Sequence, residues 1–510
     1  MKIELNTSAL SLATLRDAWA APVAVAIGDA ARSRVLEAQA QVDKVVASGD
    51  TVYGVNTGFG QLAKIRISDD ELGHLQDNLI RSHAVGVGEP LDDAVVRLIM
   101  VTKIAALARG FSGVRPQLLD AMCALVNHEL YPLIPSKGSV GASGDLAPLA
   151  HMSGVLLGIG RVSHNGEHIE AAEALKIAGL EPLRLAPKEG LALLNGTQVS
   201  TALTLAALFR AEDLLAASCV AGAMSVDAIK GSDTPFDALI HEVRGHDGQI
   251  AVAGLLRELM SGSEIRASHV DCNRVQDPYS IRCQPQVVGA CLGVLQHAAS
   301  VLQIEANAVT DNPLVFPSTD AILSGGNFHA EPVALIADYL ALAIAEIGSL
   351  AERRIALLID EHLSELPAFL VEDSGLNSGF MMAQVTAAAL ASENKSLAHP
   401  ASVDSIPTSA NQEDHVSMAT FAGRRLHTMI DNVAYIVAIE LLASVQGVEF
   451  RGPAKTSATL ERVREQVREQ SPRFAEDRSL SPDIEAVAAL IHEGRFREYA
   501  TTILPSSSIE

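Results

Sequence analysis

The sequence predicts a mainly α fold, an elongated helical bundle of long antiparallel helices with a mixed N-terminal domain in front of it. The first observation is composition: the 510 residues are 48% hydrophobic but only 4% aromatic, which favours helices packed closely on helices. The second is the length of three apolar stretches, residues 199–230, 284–309 and 331–363, each suited to a helix of 25 residues or more. Helices of this kind leave apolar surface for partner subunits.

The stretch 331–363 shows the helical period most clearly. Its apolar residues recur with the period of an α-helix: Val333, Ile336, Leu340, Ile344 and Ile347. The stretch 199–230 is apolar enough to suggest a membrane span, but charged residues such as Arg210 and Asp213 interrupt it. We therefore expect a buried bundle helix there.

The first part of the chain combines element types. Residues 1 to about 50 are expected to form short helices around a proline break, and Arg161–His168 a small β-hairpin with an Asn-Gly turn. We therefore divide the chain into a mixed domain, residues 1–200, which carries the loop described below, and a helical bundle domain, residues 201–510, which ends in charged helices.

Charge and cysteine content exclude several classes of protein. The net charge of −23 argues against nucleic acid and against an anionic membrane as partners. The five cysteines are scattered and form no C-x-x-C pair, so neither a disulfide framework nor a zinc site is expected. The N-terminus lacks a basic region followed by an apolar run, so no signal peptide is predicted. Together these features predict a soluble, cytoplasmic protein.

The stretch Gly138–His151, which reads GSVGASGDLAPLAH, is the most distinctive in the chain. Three glycines and two serines in its first seven residues predict a tight loop, and Asp145 is suited to cap the helix that follows. One interpretation is a turn or an anion-binding nest. Phosphate-binding patterns fit poorly, because the loop has no Gly-Lys-Ser/Thr ending and its glycines are spaced three apart.

A second interpretation of this loop is covalent. The amide nitrogen of Gly144 has no Cβ beside it and can approach the carbonyl carbon of Ala142. Ring closure with loss of water would give an imidazolone. Loss of water from Ser143 would then leave an exocyclic methylidene, which is a strong electrophile, and Asp145 is placed to assist the proton transfers.

Several weaker motifs lie elsewhere in the chain. They are the loop around Tyr53, Ser82-His83, Asn195-Gly-Thr197, the stretch Gln276–Pro285 with Tyr279 and Arg282, Gly325–Ala330 with Phe328, and Asn411–His415 with Glu413. Each alone has an ordinary structural explanation: a packed tyrosine, a structural histidine, a surface arginine or an exposed acidic turn.

One stretch resembles a metal-binding motif. His241 and His246 are separated by one residue more than the histidines of the zinc-binding H-E-x-x-H pattern, so the two rings would not share a helix face. We predict a surface segment there, and no requirement for a metal.

The run Gly138–His151 resembles the cofactor-forming segment of the aromatic amino acid ammonia-lyases, which build 4-methylidene-imidazole-5-one (MIO) from Ala-Ser-Gly. The weaker motifs match this family in order and spacing, so the resemblance covers nearly the whole chain. It implies an MIO formed from Ala142, Ser143 and Gly144, with no pyridoxal phosphate (PLP) and no metal. It also implies a homotetramer with shared active sites.

The resemblance further implies a role for each remaining motif. These are Tyr53 as the base for the β-proton, Arg282 at the substrate carboxylate, Asn195 and Tyr279 near the amine and the MIO, Phe328 as a wall of the ring pocket, and His83, Glu413 and Gln276 around the ring. An unperturbed tyrosine has a pKa of about 10, so Tyr53 would need positive charge nearby to act near neutrality.

Glu413 and His83 indicate histidine as the substrate. In relatives that act on phenylalanine or tyrosine, the position matching Glu413 is typically glutamine. A carboxylate facing a phenyl ring would be unpaired, whereas an imidazole N–H satisfies it. The expected reaction is deamination of L-histidine to trans-urocanate and ammonia, the first step of histidine degradation.

Other interpretations remain open. The MIO could capture the amine or attack the ring, and we favour amine capture because it directly makes nitrogen a better leaving group. The alternatives in activity are a tyrosine or phenylalanine ammonia-lyase and an aminomutase that uses the same MIO. A non-catalytic scaffold protein is a further alternative, against which the intact Ala142-Ser143-Gly144 and Tyr53 argue.

Overall fold

A computed structural model describes residues 1–6, 8–48, 52, 54–57, 67–68, 71–269 and 275–507. Its helices are α1 (Leu12–Ala20), α2 (Asp29–Ser48), α3 (Leu72–His83), α4 (Asp93–Ala108), α5 (Pro116–Asn127), α6 (Leu146–Gly154), α7 (Ala171–Ile177), α8 (Glu189–Leu194), α9 (Gln198–Ala228), α10 (Ala238–Glu242), α11 (Asp247–Met260), α12 (Glu264–Ala267), α13 (Tyr279–Arg282), α14 (Gln284–Ala306), α15 (Glu331–Ile359), α16 (Glu361–Ser364), α17 (Met381–Leu397), α18 (Ala419–Glu449), α19 (Ala458–Gln470) and α20 (Ser481–His492). Its strands are β1 (Lys2–Leu5), β2 (Ala24–Ile27), β3 (Val87–Pro90), β4 (Tyr131–Pro132), β5 (Pro135–Lys137), β6 (Arg161–His164), β7 (Glu167–Glu170), β8 (Leu314–Phe316) and β9 (Ala321–Leu323).

The mainly α class predicted from the sequence is confirmed. The three long apolar stretches form α9, α14 and α15, with ends within a few residues of those expected. A fourth long helix, α18, was not predicted, because polar residues such as Arg424, Arg425 and Asp431 interrupt its apolar pattern.

The described chain forms two compact units, each built from separate segments. Unit 1 comprises Met1–Ala206, Ser300–Asp338 and Pro400–Arg424, and unit 2 comprises the segments between and after these. The sequence-based division places 300–338 and 400–424 in the helical domain, so the two partitions differ in those segments. The predicted domains 1–200 and 201–510 stay a prediction.

The expectation of helices alone in residues 1–50 is wrong. Strands β1 and β2 pair in parallel, with Ile3 opposite Val25. Strand β1 alternates charged with apolar residues, which is the period of a strand, and its Ile3 and Leu5 are buried together with Val25 of β2. The helices α1 and α2 agree with the expectation.

The hairpin predicted for residues 161–168 is confirmed as β6 and β7, which pair antiparallel. Its turn residues Asn165 and Gly166 both have positive φ, 51° and 79°. Two successive residues with positive φ match the right-handed twist of the strands that they connect, which is why an Asn-Gly pair predicts this turn.

Among the described residues, three helices are long and apolar enough to cross a membrane by length and composition alone: α14, α15 and α18. In the folded protein, 50%, 67% and 83% of their most apolar windows are buried, in that order. Protein atoms therefore cover at least half of each window.

Unit 2 contains a fully buried ion pair between two of its long helices. Arg354 of α15 donates from Nε and Nη2 to the two carboxylate oxygens of Glu440 of α18, at 2.5 and 2.8 Å. Ser225 of α9 donates to the same carboxylate at 2.8 Å. Both side chains of the pair have no exposed surface, so the bidentate geometry and the serine satisfy a carboxylate that water cannot reach.

Candidate active site

The loop Gly138–Gly144 lies in unit 1 and is held by backbone contacts from two other segments of that unit. The amide of Met418 donates to Val140 O at 2.8 Å, and the amide of Ala330 donates to Gly141 O at 3.3 Å. Gly144 has a φ of +74°, and a Cβ added there would lie 2.3 Å from Gly196 O. Only glycine fits that position, because both its backbone angle and its close approach exclude a side chain.

Ser143 sits at the tip of this loop with polar partners on both sides. Its hydroxyl donates to Oε1 of Glu413 at 2.6 Å. Its carbonyl oxygen accepts a hydrogen bond from Nδ2 of Asn195 at 2.7 Å. Ala142 and Gly144 are buried, whereas Ser143 is partly exposed, so the serine is the residue of the triplet that a small molecule could reach.

Glu413 is oriented by a residue five positions earlier in the chain. The hydroxyl of Thr408 donates to Oε2 of Glu413 at 2.6 Å. Each of the two residues also donates its amide to the other's carbonyl oxygen, at 2.9 and 3.3 Å. With one carboxylate oxygen held by Thr408, the other points at Ser143.

Asp145 follows the loop and is buried with four hydrogen-bond donors around it. Its Oδ1 accepts from Ser139 Oγ at 2.9 Å and from Thr420 Oγ1 at 2.6 Å. Its Oδ2 accepts from the amide and the hydroxyl of Ser200, at 2.8 and 2.9 Å. Asp145 precedes α6 as predicted, but its side chain makes no capping bond to that helix. The side chain instead satisfies an amide in the first turn of α9, where the helix dipole favours a carboxylate.

A buried lysine forms a hydrogen bond with the backbone of Asn195. Nζ of Lys103 donates to the backbone oxygen of Asn195 at 2.6 Å. Complete burial lowers the pKa of the Lys103 ammonium to about 7, because the charged form loses its hydration. A second buried lysine, Lys188, forms an ion pair with Asp311 at 2.7 Å, and burial lowers its pKa as well.

Comparison with known proteins assigns this arrangement to a family. The sequence model of the aromatic amino acid lyases matches residues 10–469. The chain belongs to the aromatic amino acid lyase family. It is 58% identical to the histidine ammonia-lyase of Desulfotalea psychrophila, over 99% of each chain.

Solved structures with the same fold come from lyases and aminomutases alike. The crystal structure of histidine ammonia-lyase from Trypanosoma cruzi has a TM-score of 0.91 at 40% identity, and covers 100% of this chain and 98% of its own. The tyrosine aminomutase of Streptomyces globisporus has a TM-score of 0.93 at 34% identity, with 98% of each chain covered. The fold alone therefore does not separate the two activities within the aromatic amino acid lyase family.

The predicted site residues of this aromatic amino acid lyase divide into three groups in the structure. The first group lies in unit 1, where hydrogen bonds connect Asn195 and Glu413 to Ser143 of the loop: Ala142, Ser143, Gly144, Asp145, Asn195 and Glu413. His83 and Phe328 also lie in unit 1. Ring nitrogen Nδ1 of His83 lies 2.8 Å from Leu79 O and 3.0 Å from Ser82 Oγ, so its resolved bonds are local to α3.

Gln276, Tyr279 and Arg282 belong to unit 2. The Arg282 guanidinium carbon lies 4.7 Å from the centre of the Tyr279 ring, and Tyr279 is 71% exposed. Nε of Arg282 is buried without a hydrogen-bond partner among the described residues. Tyr53, the predicted base, lies outside the residues that the structure describes.

Sequence reasoning missed the residues that hold the site in shape. These are Lys103, Ser139, Ser200, Thr408 and Thr420. Only Lys103 left a signal, because it is the sole charged residue in the apolar run 98–108. The serines and threonines belong to no recognisable sequence motif, and only the folded structure shows which carboxylates accept their hydrogen bonds.

The prediction of a surface segment around His241 and His246 is confirmed for His246 and wrong for His241. His241 is fully buried and His246 is exposed. Nε2 of His241 lies 3.0 Å from Pro235 O, and Nδ1 lies 2.8 Å from Nε2 of Gln249. Both ring nitrogens have partners, which explains how a polar ring is accommodated in the core.

Proposed function

We propose that this protein deaminates L-histidine to trans-urocanate and ammonia, using an MIO formed from Ala142, Ser143 and Gly144. The observation that carries the proposal is the position of Glu413, whose carboxylate lies within hydrogen-bond distance of the Ser143 hydroxyl. A carboxylate beside the reacting centre suits a substrate ring that bears an N–H. The 58% identity to a histidine ammonia-lyase over nearly the full chain supports the same substrate.

The residues of the loop fit an MIO. Gly144 leaves its amide nitrogen free of a neighbouring Cβ, at a place where a Cβ would meet Gly196. The carbonyl oxygen of Ser143, which such a ring would retain, already accepts a hydrogen bond from Asn195. That bond withdraws electron density from the position where the methylidene would form. When formed, MIO supplies an electrophile that turns the substrate amine into a better leaving group.

Glu413 would select the ring of the substrate. A phenyl ring has no N–H to donate to Glu413. Binding such a ring would leave the partly desolvated carboxylate without a hydrogen-bond partner, which costs free energy and disfavours the ring. A site that hydrogen-bonds its substrate also rejects analogues without the bonding group more strongly than an apolar pocket rejects an added group. Histidine is therefore preferred over phenylalanine and tyrosine. His83, Gln276 and Phe328 are proposed to complete the ring pocket.

Tyr53, Arg282 and Tyr279 are proposed to act on the amino acid part of the substrate. Tyr53 would remove the β-proton, and Arg282 would bind the carboxylate through bidentate hydrogen bonds. The unpartnered, buried Nε of Arg282 supports a ligand-binding role, since buried donors rarely remain without an acceptor. Asp145 would fix the loop, and its four bonded donors favour this positioning role.

One experiment tests substrate and reaction together. The purified protein is offered histidine, tyrosine and phenylalanine separately, and each conjugated acrylate is followed by its absorbance. We expect urocanate to form from histidine at a far higher kcat/KM than the acrylates from the other two. Faster deamination of tyrosine or phenylalanine would contradict the substrate, and accumulation of a β-amino acid would indicate an aminomutase instead.

We also propose that the protein is a cytoplasmic homotetramer whose active sites are shared between chains. Large apolar side chains are exposed on α15 and α17 in unit 2: Tyr339, Leu342, Met381, Met382 and Val385. Surfaces of this kind mark protein interfaces.

Mixtures of Tyr53→Phe and Arg282→Ala chains should regain activity after subunit exchange. No recovery despite verified exchange would contradict shared sites.

A further inference from the structure

Three side chains that could ligate a metal converge in unit 1, close to the loop Gly138–Gly144. They are His329, Glu331 and His415. Each offers one ligand atom, and these atoms all lie within 4.8 Å of one another. Glu331 is the first residue of α15, His329 lies two residues before it, and His415 lies in the segment before α18. None of the roles proposed above uses these three residues.

The hydrogen bond of His329 leaves one of its nitrogens free to ligate. Nε2 of His329 lies 3.2 Å from the backbone oxygen of His415. A carbonyl oxygen can only accept, so Nε2 carries the proton and Nδ1 keeps its lone pair. Metal-binding histidines are oriented in this way, with the second ring N–H donated to a carbonyl or carboxylate. Nδ1 lies 4.0 Å from Oε2 of Glu331.

Glu331 supplies an oxygen that has no other role in the described structure. Its Oε2 is buried and accepts no hydrogen bond from any described residue. The same oxygen lies 3.9 Å from Nε2 of His415. A buried carboxylate oxygen without a donor is costly, and a cation between it and the two imidazoles would satisfy it.

We propose that His329 Nδ1, Glu331 Oε2 and His415 Nε2 form a binding site for a divalent transition metal ion, with Zn²⁺ the best match. Two imidazole nitrogens and one carboxylate oxygen are a common ligand set for Zn²⁺ with one open position. Metal–ligand distances of about 2.1 Å place ligands of a tetrahedral ion about 3.4 Å apart. Two of the three separations between ligand atoms are 3.9 and 4.0 Å, and the third is at most 4.8 Å, so ion binding requires the side chains to move closer by about 0.5 to 1.4 Å. His415 is exposed and has room to move.

The site is connected to the loop that carries Ser143. His415 is two residues after Glu413, and Ala330 lies between the other two ligands. The amide of Ala330 bonds to Gly141. An ion held by all three ligands therefore links the two segments that flank the loop and fixes them relative to each other. This proposal does not depend on the substrate proposed above.

Zn²⁺ binding to the full-length protein tests the proposal, by isothermal titration in the absence of histidine, which itself chelates zinc. We expect about one strong site per chain. The variants His329→Ala, Glu331→Gln and His415→Ala should each weaken binding by at least about 10-fold, since even loss of a residue that only orients a metal ligand costs about 10- to 100-fold in affinity. His362→Ala is the matched control, since that exposed histidine lies 3.8 Å from one carboxylate, Glu361, and belongs to no convergent group among the described residues.

The outcomes are distinct. Retention of the strong site in all three variants, or its absence from the wild-type protein, would overturn the proposal. A second measurement does not depend on variants that fold: the X-ray absorption spectrum of the zinc-loaded wild type should show two imidazole ligands. A spectrum without imidazole scattering would overturn the proposal as well.

Discussion

The hydroxyl of Ser143 donates a 2.6 Å hydrogen bond to Oε1 of Glu413, a residue 270 positions later in the chain. The other oxygen of that carboxylate is held by Thr408. In the proposed chemistry the serine loses its hydroxyl, so Oε1 is released at that moment. One carboxylate thereby serves the unprocessed loop first and the imidazole of the substrate afterwards.

Ser143→Ala should abolish deamination while leaving the fold intact. Without the hydroxyl no methylidene can form, so the rate should fall by orders of magnitude, and the near-ultraviolet absorbance of the MIO should be missing. Initial rates with histidine and a difference spectrum against the wild type measure both effects. Ser33→Ala, at an exposed position of α2, is the control. A variant at position 143 that keeps near-normal turnover would exclude the MIO.

Glu413→Gln should lower kcat/KM for histidine and relax discrimination against phenyl rings. A hydrogen bond to a charged group contributes about 1.5–3 kcal/mol and a neutral one about 0.5–1.5 kcal/mol, so the replacement should cost about 1 kcal/mol or slightly more, which is roughly 5- to 10-fold in rate. The neighbouring exposed Asp414→Asn removes a charge of the same sign and should change neither quantity. Equal losses in both variants would mean that overall charge, and not contact with the ring, is responsible.

The sequence predicted the helices and the loop better than the contacts between them. Period and apolar length located α9, α14 and α15, because helix formation is largely a local property. The strands β1 and β2 were missed, since each is four residues long and is stabilised by pairing with the other. The Asp145 side chain was expected to cap α6, but its strongest donors come from α9 and Thr420, which are distant in sequence. No sequence pattern specifies partners at such separation.

Lys103 should make the stability of the protein rise with pH above neutrality. The pKa of its ammonium is 10.5 when unfolded and about 7 when folded. Between these values the unfolded chain carries the extra proton, so raising the pH favours the folded state, by at most about 1.4 kcal/mol per pH unit. Below pH 7 both states are protonated and the full cost of burial remains.

The variant Lys103→Met isolates this effect. The difference in free energy of unfolding between wild type and variant, measured by denaturant titration, should shift in favour of the wild type from pH 7 to pH 9. A difference that does not change with pH would show that folding does not lower the pKa of Lys103. The variant should also deaminate more slowly, because Asn195 loses the donor at its backbone oxygen.

Arg354→Met should destabilise unit 2 strongly. The change leaves Glu440 buried without its cation, which typically costs about 3–5 kcal/mol. The double variant Arg354→Met with Glu440→Leu should recover much of the loss, since it removes both charges. Thermal unfolding of the four proteins in the cycle measures the coupling. If the double variant is as unstable as the sum of the single variants, the two residues do not act as a pair.

The four donors around Asp145 come from residues 6, 55 and 275 positions away. During synthesis, Thr420 leaves the ribosome only after about four fifths of the 510 residues have been made. Until then the Asp145 carboxylate lacks one of its four donors, so in the proposed chemistry we expect a truncated or half-made chain to hold an ordinary, unreactive serine. The order of translation would then keep a strong electrophile out of unfinished protein.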